Sequence, residues 1–356
     1  MDEVAEKVDF YSLTKEDLAH LLKERFEASA YRSTQLFEWV YRKRVTDFNL
    51  MTNITKDLRP KLSDLLECRH AEIKERTFSK DGSCKYLLEV SPNVFVESVF
   101  IKQPERITLC VSSQYGCAMG CTFCRTATMG LVKNLSAGDI IRQVVTVLDD
   151  FQGQNISGTN APFNNIVFMG MGEPLHNFEA VASAVKILND DAGIGIGVRK
   201  ITISTCGFVP GIKKFVQADL GVNLAISLSA TTDAVRSKLM PINKRYPLAD
   251  LIAALHEIPL KHRKTLTISY VLLAGINDTE GDIKRLPKLL HGLKAKVNLI
   301  PYNENDGLDF RTPPRERVIT WLERLVKAGI DTTIRWSRGA DIDAACGQLA
   351  VKEIKN

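Results

Sequence analysis

The stretch ITLCVSSQYGCAMGCTFC, residues 107–124, joins a short apolar strand pattern to three closely spaced cysteines. Cys117, Cys121 and Cys124 follow the spacing CxxxCxxC. Three thiolates at this spacing can ligate three irons of a 4Fe–4S cluster, and the fourth iron is then left without a protein ligand. An iron without a protein ligand can bind a small molecule. The stretch therefore predicts a reactive iron–sulfur centre in a loop that follows the first strand of a parallel α/β fold.

For this spacing the expected ligand of the open iron is the amino and carboxylate end of S-adenosylmethionine (SAM). One electron from the cluster would split the sulfonium into methionine and a 5′-deoxyadenosyl radical, which is the chemistry of radical-SAM enzymes. A structural zinc site is the alternative, but such a site is normally closed by a fourth Cys or His at short range. The next histidine along the chain is His176, so the zinc interpretation lacks a fourth ligand near the motif.

The composition is that of an ordinary globular protein with room for one large domain and a smaller one. The chain has 356 residues, of which 45% are hydrophobic and 25% are charged. Its start, MDEVAEKVDFYS, lacks the basic and apolar regions of a secretion signal, and no run approaches the ~20 apolar residues of a membrane span. We therefore expect a cytoplasmic protein without a membrane partner. Eight cysteines in such a chain indicate metal or redox chemistry rather than a disulfide framework.

The hydrophobic pattern changes twice along the chain. Leucines recur at helical spacing in the first part, for example at Leu18, Leu21 and Leu22. Two short alternating segments follow, CKYLLEV and VFVESVFI, with the turn signals KDGS and SPN around them. We predict four parts: a helical accessory domain over 1–67, a β-hairpin extension over 68–105, a radical-SAM barrel over 106–351, and a tail over 352–356.

From Arg106 onward, strand patterns alternate with helix patterns, which implies parallel pairing through right-handed crossovers. Six or seven such units favour an α/β fold with an open, partial barrel, although a closed barrel of eight units needs about 250 residues and is not excluded by length. The predicted helices include 136–151, 177–190, 247–258 and 314–328. The candidate strands are ITLCVSS, NIVFMG, KITISTCG, VNLAISLS, TLTISYVLL, KVNLIPY and TTIRW.

Polar motifs fall where several of these strands end, and parallel barrels build their active sites at that edge. In GMGEP, residues 170–174, the glycines allow a ligand to approach the backbone, and the glutamate offers a carboxylate to the ammonium of SAM. Each motif alone is weak, since GMGEP also suits a tight turn. We expect the residues that contact SAM to be Gly172, Glu173, Ser204, Ser227, Leu228, Ser229 and Asn303.

Several motifs in one order resemble the RlmN/Cfr family of radical-SAM rRNA adenosine methyltransferases. The resemblance covers residues from about 95 to 351, and the helical N-terminal part, residues 1–67, also resembles that family's RNA-binding accessory domain. It implies a partial (β/α)6 barrel, one 4Fe–4S cluster and two SAM molecules per turnover. The segments that carry it are LCVSSQYGCAMGCTFC, FMGMGEPL, ISTCG, MPINKRYPL, VNLIPYN and RGADIDAACGQL.

The resemblance also implies roles for three residues outside the cluster motif. Cys346 would take a methyl group from one SAM, and a radical from a second SAM would remove hydrogen from it. The carbon radical would then join the adenine ring, and Glu97 would accept the ring proton. Cys110 would attack the sulfur of Cys346, form a transient disulfide and release the product. Without the resemblance, the simpler interpretation is that both cysteines are structural residues and that Glu97 lies on the outward face of a strand.

The implied substrate is an adenosine near the peptidyl transferase centre of 23S rRNA, with a tRNA anticodon-loop adenosine as a second one. We expect methylation at carbon 2; carbon 8 is the alternative within the family, and a non-catalytic Fe–S RNA-binding protein is the alternative of another class. We also expect a monomer and an electron donor such as flavodoxin or ferredoxin. The net charge of +5 fits a polyanionic partner. The basic residues expected near RNA phosphates are Arg42, Lys43, Arg44, Lys56, Arg59, Lys61, Lys133, Lys244 and Arg245.

Overall fold

The computed structural model describes residues 7–152, 163–260, 264–305 and 307–351, so the expected tail over 352–356 lies outside the described residues. The chain begins with a small helical module. Thr14 caps the start of its first helix, and the Thr14 side chain forms a reciprocal capping box with Asp17. Buried aromatic and leucine side chains fill the centre of the module. Its elements are β1 (Val8–Asp9), α1 (Lys15–Phe26), α2 (Tyr31–Phe37), α3 (Leu58–Leu65) and β2 (Leu66–Glu67).

Three antiparallel strands follow: β3 (Glu72–Phe78), β4 (Cys84–Ser91) and β5 (Val94–Lys102). The last two confirm the predicted strand segments. The sequence did not indicate β3, because this edge strand, EIKERTF, is largely exposed and carries charges in place of an apolar alternation. The extension is also not a separate hairpin, because β5 pairs with the first barrel strand, Val99 opposite Cys110.

The remaining chain alternates strands with helices, and all seven predicted strand segments are strands. The parallel strands lie side by side in chain order, so each crossover returns to the neighbouring position. The strands are β6 (Ile107–Cys110), β7 (Gln114–Gly116), β8 (Leu131–Asn134), β9 (Asn165–Phe168), β10 (Ile201–Thr205), β11 (Asn223–Ser227), β12 (Leu266–Leu272), β13 (Ala295–Pro301) and β14 (Thr332–Ile334). The helices are α4 (Arg125–Thr128), α5 (Ala137–Gln152), α6 (Phe178–Asn189), α7 (Val209–Ala218), α8 (Asp233–Leu239), α9 (Leu248–His256), α10 (Glu280–Leu289) and α11 (Arg315–Lys327).

The main sheet curls around a central lumen without closing. Within the described residues it has ten strands in the order β14-β13-β12-β11-β10-β9-β6-β5-β4-β3, with β14 and β3 at its two edges. A single cavity is lined by residues from all seven parallel strands, including Thr108 of β6 and Thr333 of β14. The expected partial barrel is therefore present, with one parallel strand more than six and three antiparallel strands continuing the sheet. Among the described helices, none is both long and apolar enough to cross a membrane.

Two arginines attach the N-terminal module to helix α5. Arg142 on α5 is almost fully buried and forms ion pairs with Asp9 at 2.8 Å and Asp139 at 3.1 Å. Arg44 donates to the carboxylate of Asp149 at 2.7 Å and to a backbone carbonyl of α5 at 3.0 Å. These ion pairs add to an apolar core that continues from the module into the barrel, and together they hold the module against α5.

Candidate active site

The three cysteines lie on the loop between β7 and α4, and backbone hydrogen bonds hold both ends of that loop. The amide of Cys117 donates to the carbonyl of Gly130 at 2.7 Å, and the amide of Arg125 donates to that of Gly347 at 2.8 Å. Gly116 has a φ of +77°, and a Cβ there would stand 1.9 Å from the carbonyl oxygen of Gly130. The loop geometry thus requires glycine before the first cysteine.

The thiols of this loop occupy an apolar shell and fit an iron–sulfur cluster by donor type. Burial raises the pKa of all three thiols, that of Cys117 to about 12, so the free thiols are protonated and iron would have to replace the protons. Three soft donors without a fourth on the same loop suit a cluster with one open iron. The apolar residues around them include Met119, Phe123, Leu239, Met240, Leu273 and Tyr302.

Within the described ranges, no three or more His, Cys, Asp or Glu side chains are gathered as a single-ion metal site would require. A cluster of four irons and four sulfides is a larger body than one ion, and its thiolate ligands attach to different irons. The fit of the loop to a cluster accordingly rests on its donor set and its apolar surroundings.

Glu173 lies beside the cysteine loop and is almost completely buried. Its carboxylate accepts hydrogen bonds from the amides of Cys206 at 2.7 Å and Leu175 at 3.1 Å. Burial raises the pKa of Glu173, and these hydrogen bonds partly oppose that effect. A ligand ammonium would stabilise the charged carboxylate further. Gly172 has a φ of +99°, and its Cβ would stand 2.6 Å from that of Gln114, so this turn also requires glycine.

The serines expected to contact SAM are at the carboxyl ends of β10 and β11, as the sequence predicts, but the hydroxyls of Ser204 and Ser229 form hydrogen bonds with the backbone. The hydroxyl of Ser204 donates to the carbonyl of Phe168 at 2.8 Å. The hydroxyl of Ser229 accepts from the amide of Val271 at 3.3 Å, and Ser229 has a φ of +52°. Ser227 and Leu228 offer backbone carbonyls to a neighbouring guanidinium. Leu228 itself is buried.

That guanidinium belongs to Arg236 of α8, which sequence analysis did not single out. The residue is fully buried and donates to the carbonyls of Cys206 at 2.6 Å and Leu228 at 3.1 Å, and to the side chain of Asn243 at 3.0 Å. It therefore ties the ends of β10 and β11 to the segment that follows α8. Arginines on short helices are usually at the surface, so the sequence did not indicate that Arg236 is buried.

The segment that carries Cys346 is held from three sides. Asn303 donates to the carbonyl of Cys346 at 3.2 Å, so this expected SAM ligand contacts the Cys346 segment. Thr126, just after the cysteine loop, donates to the carbonyl of Leu349 at 2.6 Å. In the turn between β3 and β4, the hydroxyl of Ser79 donates to the carboxylate of Asp341 at 2.6 Å. The cluster loop, the barrel and the strand extension all position this segment.

These contacts bring Glu97, Cys110 and Cys346 to the same region. Cys110 ends β6 and is buried, and its pKa is raised to about 12, mainly by burial and further by the neighbouring Cys346. Both cysteines line the same cavity. The carboxylate of Glu97 accepts from Lys85 at 3.1 Å and from the amide of Ala350 at 2.9 Å. Burial raises the pKa of Glu97, and Lys85 opposes that shift.

The cavity has a volume of 540 Å³; it is lined by residues near the starts of the parallel strands and by the segment after β14, and no residue of the cysteine loop lines it. Residues near the strand starts, such as Asn165, Thr202 and Thr267, form its walls, and Cys110 and Cys346 lie deeper. No carboxylate is found among the described lining residues. The cavity is therefore positively charged, and its cations are Arg106, Lys200, Lys296, Arg335 and Arg338.

Several basic residues expected near RNA have partners within the chain. Arg44 docks the N-terminal module, and Arg59 donates to three backbone carbonyls, including that of Ile54 at 3.0 Å. Arg42 donates to the carbonyl of Asp191, and Lys43 lies over the ring of Trp39. The expected basic residues that are exposed are Arg42, Lys43, Lys56, Lys61, Lys133, Lys244 and Arg245, whereas Arg44 and Arg59 are partly buried.

Comparisons with known proteins agree with this geometry. Residues 8–68 match the ribosomal RNA large subunit methyltransferase N-terminal domain, and residues 111–286 match the radical SAM superfamily. The chain is 43% identical to the dual-specificity RNA methyltransferase RlmN of Syntrophotalea carbinolica, over 97% of this chain and 90% of that protein. It is 44% identical to RlmN of Campylobacter fetus, over 95% of this chain and 96% of that protein.

A solved structure gives the same result at the level of the fold. The crystal structure of a radical SAM methyltransferase from Sphaerobacter thermophilus superposes with a TM-score of 0.88 at 39% identity, over 96% of this chain and 99% of that chain. The agreement extends over the module, the strand extension and the barrel together. The chain belongs to the RlmN family of radical-SAM RNA methyltransferases.

Proposed function

We propose that this enzyme methylates carbon 2 of an adenosine in 23S rRNA, and of an adenosine in the tRNA anticodon loop, through a methyl group carried on Cys346. The observation that carries the proposal is the meeting of Cys110 and Cys346 in one basic cavity, with Cys346 close to Cys124 of the cysteine loop. The two residues are far apart in the chain and are joined by tertiary structure alone. The curated relatives are named as RNA methyltransferases of dual specificity.

When bound, the 4Fe–4S cluster and SAM supply an electron and a 5′-deoxyadenosyl radical. Cys117, Cys121 and Cys124 hold the cluster in this proposal. Glu173 faces that loop from the end of the second barrel strand, where its carboxylate can bind the ammonium of SAM. The positive-φ turn at Gly172 keeps the backbone there free of side-chain bulk. The apolar shell around the loop excludes water, which strengthens these polar contacts.

The two cysteines divide the transfer between them. As a thiolate, Cys346 displaces S-adenosylhomocysteine from one SAM and keeps the methyl group on its sulfur. After a hydrogen atom is removed and the carbon has bonded to the ring, Glu97 accepts the proton from the ring carbon, and the oxidised cluster would serve as the acceptor of the unpaired electron left on the ring. Cys110, as a thiolate, then attacks the sulfur of Cys346, so that the S–C bond breaks as an S–S bond forms. The electron pair of the broken bond remains on the carbon, which takes a proton and becomes the methyl group.

The cavity suits an adenine that has left its stack. Ring carbons inside folded RNA cannot reach a buried cysteine, so the nucleotide must be unpaired or extruded. A cavity of 540 Å³ has room for a nucleoside, and its cations match the phosphates. Lys133, Lys244 and Arg245 are exposed at other parts of the surface and can contact more distant phosphates. We expect RNA binding to weaken steeply with salt.

The closeness of GMGEPL and the ISTCGFVPG region to the carbon-2 branch of the family supports carbon 2 over carbon 8. We infer further that residues 1–67 are an accessory RNA-binding domain, that 68–105 extend the barrel, and that 106–351 form it. A flavodoxin or ferredoxin is the expected one-electron donor. We place the enzyme in the cytoplasm, as a monomer.

The test is mass spectrometry of nucleosides from a 23S rRNA fragment and from tRNA, after anaerobic incubation with cluster-loaded protein, SAM and a reductant. We expect 2-methyladenosine from both RNAs with the wild type and none with Cys346→Ala. Cys84→Ala, which removes a buried cysteine of β4, is the matched control and should retain activity. Formation of 8-methyladenosine would assign the carbon-8 reaction instead. Absence of any methylated adenosine, despite SAM cleavage, would favour an Fe–S RNA-binding protein.

A further inference from the structure

An exposed indole stands at the rim of the basic cavity. Trp336 follows β14 and lines the cavity, and 46% of its surface is exposed to solvent. The guanidinium carbon of Arg315 lies 5.0 Å from the centre of its ring. The preceding backbone is fixed, because the amide of Arg335 donates to the carbonyl of Leu299 at 2.8 Å. A large aromatic ring is thus held at the cavity entrance without being buried.

This location differs from those of the other two tryptophans. Trp321 is fully buried and donates to the carbonyl of Asp278 at 3.1 Å, so it is a core residue. Trp39 lies in the N-terminal module, where the ammonium of Lys43 covers its ring at 3.6 Å. Of the three tryptophans in the chain, Trp336 is the one that lines the cavity leading to Cys346.

The charges around Trp336 select the kind of ligand. Arg335 and Arg338 flank it in the chain, and Lys200 and Lys296 line the same cavity. Proteins usually bind single-stranded nucleic acid with cations that contact the phosphate backbone and an aromatic ring on which a base stacks. Arg315 also orients the ring and adds a cation near its face.

We propose that Trp336 is a stacking platform for the base next to the target adenosine, so that it positions the RNA strand as the adenosine enters the cavity. This inference rests on the proposed function, because it takes RNA as the ligand. Stacking is tolerant of sequence, since every base has a π-face. The platform would therefore bind strands that differ in sequence around the adenosine, as an enzyme with two RNA substrates requires.

The test measures anisotropy of a dye-labelled single-stranded RNA with one adenosine, using the cluster-loaded enzyme. Replacing Trp336 by Ala should weaken binding by about fivefold or more, whereas Trp336→Phe should retain most of the affinity. The slope of log Kd against log salt should not change, because the indole carries no charge. Phe78→Ala is the matched control: Phe78 is 59% exposed, lies on the edge strand β3 and does not line the cavity.

A second RNA isolates stacking from a general loss of structure. It is made in two versions, one with an abasic nucleotide on the 5′ side of the adenosine and one with an abasic nucleotide on the 3′ side. At one of the two positions, the abasic nucleotide should weaken binding by the wild type by the same factor as Trp336→Ala weakens binding of the intact RNA. The Trp336→Ala variant should bind the intact RNA and that abasic RNA with equal affinity. Equal losses for both proteins at both positions would overturn the platform.

Methylation of the same adenosine by the wild type is measured in parallel. If the wild type methylates the RNA and Trp336→Ala binds it equally well, the platform is wrong and the proposed function stands. If the abasic effect depends on Trp336 but no methylated adenosine forms, the platform stands and the proposed function fails.

Discussion

Replacement of Arg236 by Met should destabilise the protein strongly, because its guanidinium is buried and bonded on all sides. Three of its hydrogen bonds are 3.1 Å or shorter, and a fourth, to the carbonyl of Ser227, is 3.3 Å. Hydrogen bonds to a charged group contribute about 1.5 kcal/mol each at the low end, which for four bonds gives about 6 kcal/mol. Bonds that share one group are not additive, so we expect a loss of about 4 kcal/mol.

This loss is a large part of the free energy of unfolding, which is typically about 5–15 kcal/mol for a protein. Arg236→Lys keeps the charge but can reach fewer acceptors than the guanidinium fork, so it should lose about half as much. Lys238→Met is the matched control, because Lys238 is exposed on the same helix and its replacement should change stability by less than about 0.5 kcal/mol.

The assay is urea unfolding followed by circular dichroism, on protein prepared without the cluster so that metal binding adds nothing to the measured stability. The reasoning about Arg236 would be refuted by a loss below about 1 kcal/mol for Arg236→Met, or by equal losses for Arg236→Met and Lys238→Met. Iron content after anaerobic reconstitution is a second measurement. We expect it to fall in Arg236→Met, because the ends of β10 and β11 beside the cysteine loop lose their common anchor.

Three further outcomes are expected. Cys110→Ala should accumulate a covalent protein–RNA adduct, which a denaturing gel detects as a shifted band. The band should be absent when Cys346 is also replaced. Release of methylated RNA at the wild-type rate would contradict the role of Cys110 in product release. Lys85→Met removes the cation that lowers the pKa of Glu97, so that pKa should rise further and the acidic limb of the pH–rate profile, set by the carboxylate form of Glu97, should move to higher pH. An unchanged profile would argue against Glu97 as the proton acceptor. Gly172→Ala places a Cβ 2.6 Å from the nearest side-chain carbon at a positive φ, so SAM binding measured by equilibrium dialysis should fall at least about tenfold. An unchanged affinity for SAM would contradict the role of this turn.

Local patterns in the sequence were enough to locate the repeating elements of the barrel. Strand segments such as NIVFMG and helices such as 136–151 were predicted to within one or a few residues of their observed bounds. Each pattern reflects burial on one face or both faces of a single element, and that information lies within a few consecutive residues. The cysteine loop was recognisable for the same reason, because its ligands are close together in the chain.

Elements whose role depends on distant neighbours were not predictable in this way. Strand β3 is charged and exposed, and it is a strand because β4 pairs with it. Arg236 looks like a surface residue of a short helix, and only the surrounding carbonyls from β10 and β11 make it a buried anchor. Arg44 belongs to a basic run that suggested RNA, but its partner is Asp149 on another part of the chain.

The sequence by itself determined the fold class, the cluster loop and the family, because these are encoded in short motifs and in their order along the chain. Tertiary structure decided how the site is assembled. Cys110 ends the first barrel strand, and Cys346 lies on a segment near the end of the chain that Asn303, Thr126 and the β3–β4 turn hold in place. Residues so far apart in the chain share one cavity because the curled sheet and the loops at its edge bring them together, and no local pattern records such a contact.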